Sequence, residues 1–187
     1  MEQSEVHYDR GFEKLDNRQY SNAIKEFDKA IEINPKFAEA YYGRGTAKAG
    51  LKQYPEAIAD YNEALKINPK HAVAYYNRGA AKAELKQYKE AIADYSKALE
   101  IDPKRTDVYN NRAAAKVELK QYSEAIADCD KALKIDPKYA TAHYNRGHAR
   151  RLLGNEDEAL KDFKEAVTLD PTIFVTCLLY TSDAADE

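Results

Sequence analysis

The sequence is poor in cysteine, in long apolar runs and in excess charge of either sign. It contains only two cysteines, Cys129 and Cys177, which are too few and too far apart to form a disulfide framework. A reducing compartment is therefore allowed. No apolar run approaches the roughly 18–20 residues needed to cross a bilayer, so no membrane insertion is predicted.

Charge is nearly balanced along the 187 residues. The 29 basic and 32 acidic residues give a formal net charge of −3. Because no basic excess is available to neutralise a phosphate backbone, nucleic-acid binding is not predicted. The first ten residues carry charge and no apolar stretch, so they do not resemble a signal peptide. The expected location is cytoplasmic.

Motifs that support catalysis are also missing. The sequence has no His-Glu-x-x-His motif, no Cys-x-x-Cys pair and no glycine-rich phosphate loop. Gly43-Arg44-Gly45 falls inside a predicted helix and is not a nucleotide loop. Carboxylate pairs on helix surfaces are usually solvated. We therefore predict that the chain is not an enzyme and has no metal and no cofactor.

The strongest positive signal is an internal repeat. Prolines recur every 34 residues, and this period is typical of stacked helix–turn–helix units. The predicted repeats are 4–37, 38–71, 72–105, 106–139 and 140–173, followed by a non-repeat tail at 174–187. The prolines in the series are Pro35, Pro69, Pro103, Pro137 and Pro171.

Each repeat has the pattern of two amphipathic helices. In the third repeat, residues 72–85 are rich in alanine, lysine and glutamate, which favour helix. A second helix is predicted from near Lys89 to about Ile101, where apolar residues recur at helical spacing. Asp102-Pro103 ends it, because the residue before a proline is driven out of helical geometry. Pro55 falls in a first helical turn, where proline is tolerated.

These residues resemble the tetratricopeptide repeat family over residues 4 to about 173. The family pattern has an aromatic residue at position 4, glycine at 8, alanine at 20 and 27, an aromatic residue at 24 and proline at 32. The departures are His7 and His143 at position 4, Ala113 at position 8 and Cys129 at position 24. The resemblance implies an all-α, right-handed superhelical solenoid of five antiparallel helix hairpins.

Small residues at positions 8, 20 and 27 allow close approach of the two helices, and large residues at positions 4 and 24 fill the remaining space. A single hairpin cannot bury its faces alone, so neighbouring hairpins stack. Most of the 15 tyrosines are therefore expected to be structural. Those at position 17, expected in core or turn packing, are Tyr20, Tyr54, Tyr88 and Tyr122.

Charged residues also depart from the family pattern, and they recur at the same positions in every repeat. Position 7, usually leucine, is always arginine: Arg10, Arg44, Arg78, Arg112 and Arg146. Position 11 is always basic and position 23 always acidic. One interpretation is structural, with each arginine stem packed between helices and its head on a neighbouring acid. The other is a basic stripe that binds an acidic ligand. The recurrence of acids at the same period favours the structural interpretation.

The resemblance implies that the first helices line a concave groove, and that the chain is a protein–protein interaction scaffold binding an extended peptide or partner segment there. Asparagines recur at position 6 and tyrosines at position 5, an arrangement that resembles the asparagine ladder of the O-linked N-acetylglucosamine transferases. An asparagine amide can both donate to and accept from a peptide backbone. The alternative is that these asparagines are solvated helix residues. The candidate peptide-binding residues are Asn77, Asn111, Asn145, Tyr42, Tyr76 and Tyr144.

One family subtype binds acidic chaperone tails through a clamp for the terminal carboxylate. That clamp needs lysine at position 5 and asparagine at position 9, but position 5 here holds Tyr8, Tyr42, Tyr76, Asn110 and Tyr144. The clamp is missing in every register. We predict no tight binding of such a tail.

The tail does not continue the repeat. Residues 177–187 resemble the translation of a DNA-sequencing adapter, which predicts that the natural gene was cut near Thr176. The other interpretation is a short capping tail with Phe174, Val175, Leu178 and Leu179 on the last hairpin. Two further functional hypotheses stay open: a targeting or regulatory arm of a larger enzyme, and end-to-end self-association through uncapped ends.

Overall fold

The computed structural model describes residues 3–173 and places them in ten α-helices. Consecutive helices pack in pairs, so the described residues form five helix hairpins. The predicted all-α fold is confirmed in this part of the chain, while the hypotheses about residues 174–187 lie outside it. None of the ten helices is long and apolar enough to cross a membrane. The helices are α1 Gln3–Asp16, α2 Tyr20–Ile33, α3 Ala38–Gly50, α4 Tyr54–Ile67, α5 Ala72–Glu84, α6 Tyr88–Ile101, α7 Thr106–Glu118, α8 Tyr122–Ile135, α9 Ala140–Leu152 and α10 Glu156–Leu169.

The chain divides into two compact units, Met1–Pro103 and Lys104–Glu187. In the first unit α3 contacts both α1 and α5, and in the second unit α7 contacts α9. The first helices of successive hairpins in a unit therefore lie side by side. We call each such set, α1, α3 and α5 or α7 and α9, the first-helix layer of its unit.

The turn inside each hairpin places position 15 in a left-handed conformation. In the third hairpin Lys86 has a φ of 58°, its N–H donates to Ala83 O, and the N–H of Gln87 donates to Lys82 O. These two bonds form the Schellman arrangement that satisfies carbonyls at a helix C-terminus. The fifth hairpin has Gly154 at this position, whereas the first four have Arg18, Lys52, Lys86 and Lys120.

Replacing Lys86 with glycine is expected to stabilise the first unit by up to about 1 kcal/mol, because glycine adopts the left-handed conformation without a Cβ clash. Chemical denaturation measures the change. Lys89→Gly, in the first turn of α6, is the matched control and should instead destabilise by about 0.5–1 kcal/mol. A loss of stability in Lys86→Gly would contradict the strain argument.

Small residues at positions 8 and 20 give the aromatic ring at position 24 its space. A Cβ added to Gly79 would lie 2.8 Å from Tyr95 Cε1 and 3.2 Å from Ala91 O. Tyr95 is 2% exposed and Ala91 is fully buried. The same contact joins Gly45 to Tyr61 in the second hairpin. The small residues that let the two helices approach closely therefore also make room for the aromatic ring, as the sequence predicts.

Candidate functional site

Four of the five arginines at position 7 bind the aspartate at position 23 of their own hairpin. The aspartates are 2–4% exposed. The cation at position 11 binds the same carboxylate in each hairpin. The arginine pairs are Arg44–Asp60, Arg78–Asp94, Arg112–Asp128 and Arg146–Asp162.

The third hairpin shows the full set of contacts. Arg78 Nε donates to Asp94 Oδ2 at 2.9 Å, and Arg78 Nη1 donates to Asn62 Oδ1 of the preceding hairpin at 2.7 Å. Lys82 Nζ lies 2.7 Å from the same Asp94 Oδ2. The guanidinium carbon also lies 5.3 Å from the centre of the Tyr75 ring. Arg78 therefore joins two helices of one hairpin to the hairpin before it.

Because these arginines hydrogen-bond to residues inside the protein, few of their donors are left to bind a ligand. Burial opposes the charge of Arg44, but its hydrogen bonds to Asp60 and Asp28 raise the pKa of the guanidinium above its ordinary value. The side chain of Arg44 is 19% exposed. These contacts support the structural interpretation of the series over a basic stripe for an acidic ligand.

The first hairpin departs from this arrangement. Arg10 is exposed, and the acid at position 23, Glu26, instead lies 2.6 Å from His7 Nδ1. Lys29 Nζ donates to the other oxygen of Glu26 at 3.0 Å. The bonds to His7 and Lys29 hold the pKa of Glu26 below its ordinary value. A position-4 histidine therefore fills the role that arginine has in the other hairpins.

The tyrosines predicted at position 5 pack against the aromatic ring at position 24 of their hairpin. Ring centres lie 6.1 Å apart for Tyr42 and Tyr61 and 5.7 Å apart for Tyr144 and Phe163. Each position-5 tyrosine is half-buried. The ring pair of the third hairpin, Tyr76 and Tyr95, has a separation of 6.0 Å.

The asparagines predicted at position 6 are half-buried, and two of them bond to position 5 of the preceding repeat. Asn77 Nδ2 donates to Tyr42 Oη at 3.2 Å, and Asn145 Nδ2 donates to Asn110 Oδ1 at 2.8 Å. Asn111 is half-buried on α7. The structure therefore brings Asn77 and Tyr42 together in the first unit, and it joins Asn145 to Asn110, a 4% exposed residue that was not among the predicted ones.

A cavity of about 510 Å³ lies on the first-helix layer of the first unit. Thr46, Asn77 and Tyr61 contribute polar atoms, and the Tyr61 hydroxyl donates to Thr46 Oγ1 at 3.4 Å. Of the six predicted residues, Asn77 lines this cavity. The lining residues that were not predicted as site residues are Leu15, Asp16, Arg18, Tyr20, Thr46, Ala49, Gly50, Tyr54, Tyr61, Ala80, Ala81 and Glu84.

The missed residues have a common signal in the repeat numbering. Position 13 holds Asp16, Gly50 and Glu84 in the first three repeats, so a glycine stands between two acids in neighbouring first helices. Tyr20 and Tyr54, at position 17, were assigned to packing. The structure places them half-buried in the apolar clusters and also on the cavity wall. Among residues 3–173, no group of three or more histidine, cysteine, aspartate or glutamate side chains is placed so that it could hold a metal ion.

Comparison with solved structures shows the same fold at low sequence identity. MamA from Desulfovibrio magneticus RS-1, residues 41 to the end, is 22% identical with a TM-score of 0.85 over 92% of this chain and 97% of that one. YrrB, described as a TPR protein with an unusual peptide-binding site, is 22% identical with a TM-score of 0.80 over 94% of this chain and 90% of that one. No curated protein sequence matches the chain.

Family profiles match along most of the repeat region. The tetratricopeptide repeat profile matches residues 38–71, 72–105 and 140–173, which together make up more than half of the chain. Two related profiles match residues 11–52 and 115–154, and residues 95–127. The chain belongs to the tetratricopeptide repeat family.

Proposed function

We propose that this protein is a non-catalytic interaction scaffold that holds an extended segment of a partner protein against its first-helix layer. The observation that carries the proposal is the cavity of the first unit, where the polar atoms of Thr46 and Asn77 meet aromatic and small apolar side chains. Open grooves with few polar groups among apolar walls are the usual form of a binding site. The described peptide-binding site of YrrB, a protein of the same fold, supports the proposal.

The cavity chemistry suits a peptide backbone. Asn77 donates to Tyr42 and its side chain also hydrogen-bonds Tyr61, so its carbonyl oxygen is the atom left to accept from a ligand. Thr46 Oγ1 donates to Tyr42 O and accepts from the Tyr61 hydroxyl, which leaves it one further acceptor position. These oxygens can accept from backbone N–H groups whatever the side chains of the peptide are. We therefore expect binding on the order of micromolar for an extended segment.

The single change Asn77→Ala tests this proposal, because Asn77 lines the cavity of the first unit. It should weaken binding of peptides selected from a displayed random library by about 0.5–1.5 kcal/mol, the contribution of one neutral hydrogen bond. Isothermal titration calorimetry measures the binding, and thermal unfolding checks that the fold persists.

The control is Asn22→Ala, which removes an exposed asparagine of α2 that is not part of the cavity. It should leave binding unchanged. Equal affinity of the Asn77→Ala variant and the parent would reject Asn77 as part of the site. If no library peptide perturbs the backbone amide resonances of Thr46 or Ala80, the peptide-scaffold proposal itself fails.

A further inference from the structure

The cavity of the first unit combines two tyrosine rings with two carboxylates. Tyr20 and Tyr54 form part of its wall, and Asp16 and Glu84, both exposed, lie on its rim. Arg18 is the only cation among the lining residues. The lining therefore carries one more negative than positive charge, beside aromatic faces that attract cations.

Local packing holds these groups in place. A Cβ added to Gly50 would lie 2.5 Å from Tyr20 Cε1, so the Tyr20 ring rests against the backbone at the end of α3. The Tyr54 hydroxyl donates to Glu84 Oε2 at 3.3 Å, which keeps that carboxylate beside the ring. Asp16, Gly50 and Glu84 share position 13 on three neighbouring helices. The absence of a side chain at Gly50 makes room for the Tyr20 ring.

The negative charge extends along the same layer. Position 2 holds Glu5 and Glu39 and position 6 holds Asp9, and these positions carry no lysine or arginine in the first three repeats. Burial raises the pKa of Tyr8, and the negative charges of Glu39 and Asp9 raise it further. The four cations at positions 7 and 11 of α3 and α5 are held by buried aspartates. On α1 the four acids Glu5, Asp9, Glu13 and Asp16 outnumber the two cations Arg10 and Lys14. Counted with those buried aspartates, the first-helix layer of the first unit therefore keeps a net negative charge.

We infer that this cavity binds a basic side chain, arginine or lysine, of an extended partner peptide. The inference rests on the proposed function and specifies its ligand class. The cation lies between the faces of Tyr20 and Tyr54 and pairs with Asp16 and Glu84, while the peptide backbone runs along Asn77 and Thr46. An acidic segment is repelled by the same charges, in agreement with the missing carboxylate clamp.

Three matched probe peptides test the inference on the whole chain. Each is a short, acetylated and amidated alanine–serine peptide with a single variable central residue: arginine, its neutral isostere citrulline, or glutamate. The arginine peptide should bind about tenfold more tightly than the citrulline peptide, from one cation–π contact and exposed ion pairs. The glutamate peptide should bind most weakly, and added salt should reduce the arginine preference.

The double variant Asp16→Asn and Glu84→Gln should abolish the preference for arginine over citrulline. The control Glu32→Gln and Glu100→Gln makes the same charge change at exposed positions outside the cavity, and it should keep most of the preference. If both double variants lose the preference for arginine equally, the overall negative charge of the protein selects the peptide and this cavity does not. That result overturns the inference.

Resonance mapping separates this inference from the proposed function. If the citrulline and arginine peptides bind equally well and both shift the backbone amides of Thr46, Gly50 and Ala80, the scaffold stands and the basic-side-chain inference fails. If none of the three peptides shifts those amides, both the inference and the peptide scaffold are rejected. If the arginine peptide alone shifts those amides, and the shifts disappear in the double variant Asp16→Asn with Glu84→Gln, both the inference and the proposed function are supported.

Discussion

Replacing Asp94 with alanine is expected to destabilise the first unit by about 3–5 kcal/mol, because it leaves buried cations without their partner. Asp94 is 4% exposed and receives hydrogen bonds from Arg78 and Lys82, whose side chains are 17% and 18% exposed. Neither cation can regain full hydration without disturbing helix packing. Urea denaturation monitored by circular dichroism measures the loss.

Two comparisons show whether the cost arises from unpaired charge. Arg78→Leu should be neutral or stabilising, because apolar packing often replaces a buried ion pair and Asp94 keeps Lys82. Combining Arg78→Leu with Asp94→Ala should therefore recover part of the loss.

Asp28→Ala removes a partner of Arg44 that is 51% exposed and should cost less than about 1 kcal/mol. A similar small cost for Asp94→Ala would contradict the buried-charge account, and would return the arginine series to consideration as a ligand site.

The periodicity of the sequence predicted the arginine–acid pairs but not all the hydrogen bonds that the arginines make. Arginine at position 7 and acid at position 23 recur at the same period, so a pairing followed from the repeat alone. The second contact of Arg44, Arg78 and Arg146 depends on position 25 of the preceding hairpin, which holds Asp28, Asn62 and Asp130 in hairpins one, two and four. That residue type varies, so only the packing of neighbouring hairpins shows that the same guanidinium reaches it.

The candidate site was harder to predict than the fold. Asn77 was predicted as a peptide-binding residue, and it lies on α5 in the first-helix layer. Its amide donates to the Tyr42 hydroxyl, a contact that sequence spacing does not give. Tyr54 was assigned to packing, and it both packs against the buried cluster of Ala57, Tyr61 and Ala81 and donates to Glu84. A half-buried tyrosine with an exposed hydroxyl has the same sequence signature in either role. Three-dimensional neighbours decide between them.

Ala113 and Cys129 depart from the family pattern in the same hairpin, and the other hairpins show that these departures are coupled. Glycine at position 8 is needed where an aromatic ring stands at position 24, as in Gly79 and Tyr95. Ala113 and Cys129 are both fully buried in one apolar cluster. Burial raises the pKa of the Cys129 thiol to about 12, so the side chain packs as a neutral apolar group. A small side chain at position 24 leaves room for the Cβ at position 8.

Cys129→Tyr alone should therefore destabilise the second unit by about 1–3 kcal/mol or more, because the new ring meets the Cβ of Ala113 in a packed core. Ala113→Gly alone should cost about 1 kcal/mol through lower helix propensity.

The double variant Ala113→Gly with Cys129→Tyr reproduces the pairing of Gly79 and Tyr95. It should be more stable than the sum of the single changes by about 0.5–3 kcal/mol, the range found for residues in contact. Gly79→Ala is the reciprocal control in the first unit and should cost about 1–3 kcal/mol against the ring of Tyr95. A double-mutant cycle from urea denaturation measures the coupling. Strict additivity would show that positions 8 and 24 vary independently, and that the space between these helices is not set by the glycine–ring contact.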